Sequence, residues 1–247
     1  MSVHRFHLPP GLCQGPVLKL PKAEAHHALH VLRLRAGDAV TVLDGAGHEF
    51  NCTVSHTEKH AVELAVRERR ELPPPPWRIT LIQAVPRQKA MDYIVQKATE
   101  LGIARIIPVV TARCVAQPGE DKLEKWRAVA TEAIKQCGAP WLPAMTEPVG
   151  FAELLARLEA EELMLLGTWA EDCRTPRACF TEFIRQHGRP PRSVAIWVGP
   201  EGDFTPEEVA RMRAAGALPI TMGNNVLRSD TAAIYAMSVV SHELQAS

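Results

Sequence analysis

Two short loops near the C-terminal end carry the residues best suited to grip a ligand. Gly199-Pro200-Glu201-Gly202-Asp203-Phe204 follows the apolar run Val194-Ala195-Ile196-Trp197-Val198. Gly223-Asn224-Asn225-Val226-Leu227-Arg228-Ser229-Asp230 follows Ile220-Thr221-Met222. Glycine lets a backbone approach a ligand closely, so two such loops side by side could hold a flat molecule against main-chain amides. Glu201 is a carboxylate inside the first turn, able to hold a hydroxyl, orient Arg228 or accept a proton. Arg228 brings a guanidinium, suited to an anionic group or to charge that develops at a reacting centre.

The elements around the loops set where these groups sit. Each loop lies where an apolar strand should end and a helix begin, the edge at which open α/β sheets bind ligands. In Thr205-Pro206-Glu207-Glu208 the threonine can cap a helix, the proline fits its first position and Glu208 can return a bond to the cap. Phe204 and Val209 fall at staple positions. Ser229 or Asp230 is the expected cap of an apolar helix over 231–244.

Upstream, strands and helices alternate. Strands are expected over 79–85, 104–110 and 163–167, with a weak one near Met145, and helices over 91–101, 123–137, 151–161 and near 180–186. Gly102 and Gly138 end two of the helices. This rhythm predicts an α/β domain with a mainly parallel sheet covered on both faces. No GxGxxG follows a strand and no GxxxxGK[ST] occurs, which argues against a dinucleotide fold or a P-loop. The run Leu72-Pro73-Pro74-Pro75-Pro76-Trp77 marks the domain boundary, because consecutive prolines continue neither sheet nor helix.

Before that boundary the signals are short strands over 39–43, 49–54 and 61–66, with a Gly- and Asp-rich turn at 44–47 and a helix over 22–32. A small β-barrel is expected. This part is nearly balanced in charge and holds eight of the ten histidines. Arg5, His7, Arg33 and Arg35 are candidates for phosphate contact, with a plain solvated surface as the alternative. His26 and His30 have a zinc-compatible spacing but lack a third ligand or a Cys pair, so no metal is expected. Lys89 and Lys97, at and in the helix of residues 91–101, are further RNA-contact candidates.

The GPEG turn with its stapled, capped helix, followed by MGNNVLRSDTAA, resembles the signature of the SPOUT (α/β-knot) RNA methyltransferases. Within them it is most similar to the bacterial small-subunit ribosomal RNA uridine-N3 methyltransferases. The run Met91-Asp92-Tyr93-Ile94-Val95-Gln96-Lys97-Ala98-Thr99-Glu100-Leu101-Gly102, with Ile106-Ile107-Pro108 after it, resembles an element of that family. HHALHVLRLRAGDAVTVLDGAGHEF resembles its PUA-like N-terminal domain. The resemblance implies a PUA-like, RNA-binding β-barrel over 1–72 and a SPOUT trefoil-knot domain over 73–247. It also implies a homodimer, S-adenosylmethionine (SAM) as cofactor, and ribosomal RNA or the small ribosomal subunit as partner.

By the same resemblance Gly199, Pro200, Glu201, Gly202, Met222, Gly223, Asn225, Val226, Leu227 and Arg228 would touch SAM, and Leu166, Gly167 and Thr168 would form a third loop reading adenine through backbone atoms. Methyl transfer from a sulfonium is an in-line displacement helped by positioning. Uracil N3 keeps its proton near neutral pH, so Arg228 is assigned to the developing anion and Glu201 to the proton, to Arg228 or to a ribose hydroxyl. Arg228 could instead bind a phosphate or the SAM carboxylate. The chain departs from the family pattern at Asp203, where a second glycine is usual, at Ser229-Asp230, where Thr-Glu is common, and at Ala139, where a polar or basic residue is frequent.

Pyrimidine C5 methylation would need a covalent nucleophile. Cys137 falls at the end of a predicted helix, where the dipole disfavours a thiolate, which leaves a nitrogen or ribose oxygen as acceptor. The six cysteines show no CxxC pair and read as reduced thiols. The formal net charge of zero argues against a wholly basic nucleic-acid binder and leaves room for a local basic face. With no leader-like start and no run of roughly 18 apolar residues, no membrane contact and a cytoplasmic location are expected. A SPOUT enzyme acting on a base or ribose 2′-oxygen of tRNA, or an RNA-binding assembly factor without turnover, are the competing expectations.

Overall fold

The computed structural model describes residues 4–87, 90–115, 119, 121–159 and 161–246. The chain divides into two compact units, Met1–Pro74 with Thr131–Leu142 and Pro75–Ala130 with Pro143–Ser247. The first break falls inside the proline run.

In the first unit β1 (His4–His7), β2 (Val17–Lys19), β3 (Ala39–Leu43), β4 (His48–Glu58) and β5 (Ala61–Glu71) form a mixed sheet in the order β1-β3-β4-β5-β2. Only β1 and β3 run parallel. Alternation along β4 buries Phe50, Cys52 and Val54 against Phe6, Leu18, Val40, Val42 and Leu64. Two register shifts in the β4–β5 pair interrupt the ladder, as bulges do where a long hairpin must bend. Helix α1 (Lys22–His26) widens into a π-turn over His27–Val31, bringing the rings of His26 and His30 within 4.5 Å. Residues 131–142 complete this unit. Lys135 Nζ pairs with Glu24 Oε1 at 2.8 Å, and Trp141 lies so close on Gly47 that a Cβ there would come within 2.3 Å of the ring.

The second unit runs β6 (Arg78–Ala84), α2 (Ala90–Glu100), β7 (Arg105–Val110), the first part of α3 (Lys122–Cys137, of which residues 131–137 belong to the first unit), β8 (Ala144–Met145), β9 (Val149–Gly150), α4 (Phe151–Arg157), β10 (Leu163–Gly167), α5 (Pro176–His187), β11 (Ser193–Val198), α6 (Pro206–Ala214), β12 (Leu218–Ile220) and α7 (Ser229–Gln245). The strands make one all-parallel sheet in the order β12-β10-β11-β6-β7-β8, with β9 also on β7. Such a sheet is buried on both faces, which is why β11 reads as an unbroken apolar run. Trp197 and Ala195 pack with Phe151, Phe204 and Met212 in one core cluster. Helix α7 lies against β11, β6 and α2.

Four boundaries differ from the sequence expectation. The helix expected over 151–161 stops at Arg157, where Leu158 turns extended, and Glu161 instead accepts from Thr80 Oγ1 at 2.9 Å and Arg78 Nη2 at 3.0 Å. Helix α5 starts at Pro176, ahead of the expected 180, under a Thr175 cap. Strand β12 spans 218–220 rather than 220–222; Pro219 is tolerated because the strand is at the sheet edge. Arg228 is the N-cap residue of α7, with no side-chain cap bond, where Ser229 or Asp230 was expected. Among the described residues no helix is long and apolar enough to cross a membrane.

Candidate active site

The sheet changes direction between β6 and β11: β7 and β8 extend it one way, β10 and β12 the other. Ligands of parallel sheets bind at the carboxyl ends of strands at such a point. There the segments after β10 (167–169), β11 (198–203) and β12 (221–227) and the first turn of α7 enclose a cleft of about 100 Å³.

Close approach of these loops depends on missing side chains. A Cβ on Gly167 would lie 2.7 Å from Met222 Cε, and one on Gly199 would lie 3.0 Å from Asp203 Oδ1. Gly223 holds φ +104°, in the left-handed region. In the first turn that conformation falls to Asp203, at φ +59°. Asp203 is among the few residue types that take it without large cost, and Phe204 N–H donates to its Oδ1 at 2.8 Å. Thr168 Oγ1 donates to Asp203 Oδ2 at 3.4 Å, joining the loops after β10 and β11.

Beneath the cleft lies a buried relay. Ser229 Oγ–H donates to Gly199 O at 2.7 Å and accepts from Gln83 Nε2 at 3.0 Å, while the same amide donates to Ala84 O at 2.8 Å. The chain leaving the edge strand β12 is thus pinned at the centre of the sheet, over the end of β6. Glu201 Oε1 accepts from Arg87 N–H at 2.9 Å. Arg113 Nη1 donates to Gly202 O at 2.8 Å, and Glu208 Oε1 accepts from Ala112 N–H at 2.8 Å while Oε2 closes the capping box on Thr205 N–H. The loops after β6, β7 and β11 are therefore one hydrogen-bonded block.

Of the residues expected at the cofactor, Gly167, Thr168, Gly199, Pro200, Glu201, Met222, Gly223, Asn225, Val226 and Leu227 line this cleft. Three do not. Leu166 is fully buried in the core, Gly202 faces Arg113, and the Arg228 side chain is 85% exposed with Asp230 Oδ1 3.8 Å away. Sequence reasoning passed over Trp169, Val198, Asp203, Thr221, Ser229 and Ala232 as lining residues; the β12 boundary set two residues too late hid Thr221.

The RNA-contact candidates are placed as follows. Arg5 Nη1 donates to Gln136 O at 3.2 Å and its guanidinium covers Gly138. His7 is partly buried, which holds its imidazole below 6.5 despite opposing contributions from Asp44 and Glu24. Arg33, itself at φ +56°, and Arg35 are exposed. Lys97 Nζ pairs with Glu100 at 2.8 Å, a bond that raises its pKa, and sits 5.6 Å from the Tyr93 ring. Lys89 lies outside the described residues. Cys137 is the last residue of α3, exposed, with Gly138 at φ +80° ending the helix.

The parallel sheet, its late glycine loops and the PUA-like unit define a SPOUT, or α/β-knot, RNA methyltransferase. Residues 73–241 match the RNA methyltransferase domain family, and residues 20–67 match the RNA methyltransferase PUA domain family. Ribosomal RNA small subunit methyltransferase E from Synechocystis is 30% identical, the match covering 92% of this chain and 73% of the relative. A Legionella pneumophila protein solved in complex with the bound cofactor SAM superimposes with a TM-score of 0.85 at 31% identity, covering 100% of this chain and 98% of that one. Ribosomal RNA small subunit methyltransferase E from Neisseria gonorrhoeae, solved bound to SAM, gives 0.85 at 28% identity with 98% of each chain covered. This chain belongs to the ribosomal RNA small subunit methyltransferase E family.

Proposed function

We infer that the chain is a SAM-dependent methyltransferase that modifies N3 of a uridine in small-subunit ribosomal RNA. The observation that carries this reading is the convergence of three glycine-bearing strand ends on one cleft, in a chain two of whose structural neighbours hold SAM. The lining suits that cofactor. Among the described residues it includes the carboxylates Glu201 and Asp203 and no lysine or arginine, a field that favours a cationic sulfonium.

When bound, SAM supplies a methyl group on sulfur, open to in-line displacement. The chain's part is to align the acceptor with it and to offset charge as the N3 proton leaves. Arg228, exposed where α7 begins, is assigned to the uracil anion. Glu201 is held through one oxygen by Arg87 N–H, which leaves the other for the departing proton or a ribose hydroxyl. Residues 1–72 are assigned to RNA binding and 73–247 to cofactor binding and transfer, with Arg5, His7, Arg33, Arg35, Lys89 and Lys97 as RNA contacts. The working form is assigned as a cytoplasmic homodimer. Exposed aromatic residues on the packed helices α2 and α7, Tyr93 and Tyr235, support such a face.

Mass mapping of RNA from a deletion strain tests the substrate. One uridine of small-subunit ribosomal RNA is expected to lose a base methyl that the wild-type gene restores. A methyl missing from tRNA instead, or none missing, contradicts the reading.

A further inference from the structure

The cleft of about 100 Å³ is small beside the roughly 300–1,000 Å³ of ordinary small-molecule sites. Directly next to it opens a groove of about 610 Å³, and the two share Thr168, Trp169 and Asp203. A ligand with an adenosine at one end and an amino acid at the other outgrows the cleft alone. The shared wall gives it room to extend from the cleft into the groove.

Trp169 stands on that wall with 59% of its surface exposed. Among the described residues its indole has no hydrogen bond and no aromatic neighbour. The turn that carries it, by contrast, is held on both sides of the residue: Thr168 N–H donates to Ile220 O at 3.5 Å, Cys173 N–H to Ala170 O at 3.2 Å and Cys173 Sγ–H to Thr168 O at 3.2 Å. An exposed indole on an anchored turn leaves a large apolar face in water, and a flat heteroaromatic ring covers it at little conformational cost.

We propose that Trp169 is a cofactor-binding residue whose indole stacks on the adenine of SAM, supplementing the main-chain contacts of the glycine loops. This rests on the reading of the cleft as the SAM site. Trp169 adds area and a π face where the backbone atoms add hydrogen bonds. An RNA base on the same indole is the competing occupant.

Calorimetry and intrinsic fluorescence on the full chain test the assignment. Trp169→Ala is expected to raise the Kd for SAM roughly tenfold; at 59% exposure the indole is not a core residue, so the variant folds. Trp169→Phe is expected to keep most of the affinity while losing the emission change that SAM produces in the wild type. An unchanged Kd for SAM in Trp169→Ala, or a loss confined to RNA affinity, overturns the proposal. Gly223→Val reports on the cleft itself: if wild type binds SAM and this variant binds it equally well, the cleft reading falls and the role of Trp169 with it.

Discussion

Ser229 shows how a local rule gives way to a distant partner. Its type and position suit a helix cap, yet its hydroxyl serves Gly199 and Gln83, 30 and 146 residues away in sequence. No local pattern carries that information, and Gln83, fully buried in a strand, gave no sign of it. Ser229→Ala removes the donor to Gly199 O and leaves the Gln83 amide short of an acceptor. A loss of about 1–3 kcal/mol in denaturant unfolding is expected, with weaker SAM binding. Ser229→Thr, which keeps the hydroxyl, retains both; a Ser229→Ala variant equal to wild type in both measurements contradicts the relay. For Arg228 the expectation is kinetic. Arg228→Ala lowers kcat by about 10²–10³-fold with little change in the Kd for SAM if it stabilises the uracil anion. A raised Kd at unchanged kcat would place the guanidinium on the cofactor carboxylate instead.

At the scale of elements, the strand–glycine–helix units and the Thr205–Glu208 capping box were legible because their signals are local. The strands of three or four residues, β1, β2 and β12, were missed or displaced, since so few residues show no period and only the sheet defines them. The second bond of Glu208, to Ala112 N–H, was equally invisible. A clamp at the amino ends of β10 and β11 has a pH signature. The Arg189 guanidinium, then Arg192 N–H, hold the Glu162 carboxyl down to about 2 from 4.5. Its contribution is full above about 4.5 and is lost as pH falls from there toward 2. Glu162→Gln is therefore expected to melt below wild type near neutral pH, by a margin that shrinks through this acid window. A margin independent of pH would show that the clamp acts by packing rather than charge.

For the whole molecule, composition and periodicity gave a parallel α/β unit, and the two late loops gave the family. Sequence left out the clustering of residues 131–142 with the first unit, because membership of a unit is a property of contacts rather than of chain order. The homodimer assigned above predicts twice the mass of one chain in light scattering at micromolar concentration; a single-chain mass would remove it. The central claim is that the loops after β10, β11 and β12 form the SAM site. Its most direct test is a crystal structure grown with SAM: the account predicts the cofactor between Gly167, Gly199 and Gly223, with Arg228 able to reach a base beside the methyl group. Cofactor bound anywhere else on the chain, or a cleft still empty at saturating SAM, would contradict it.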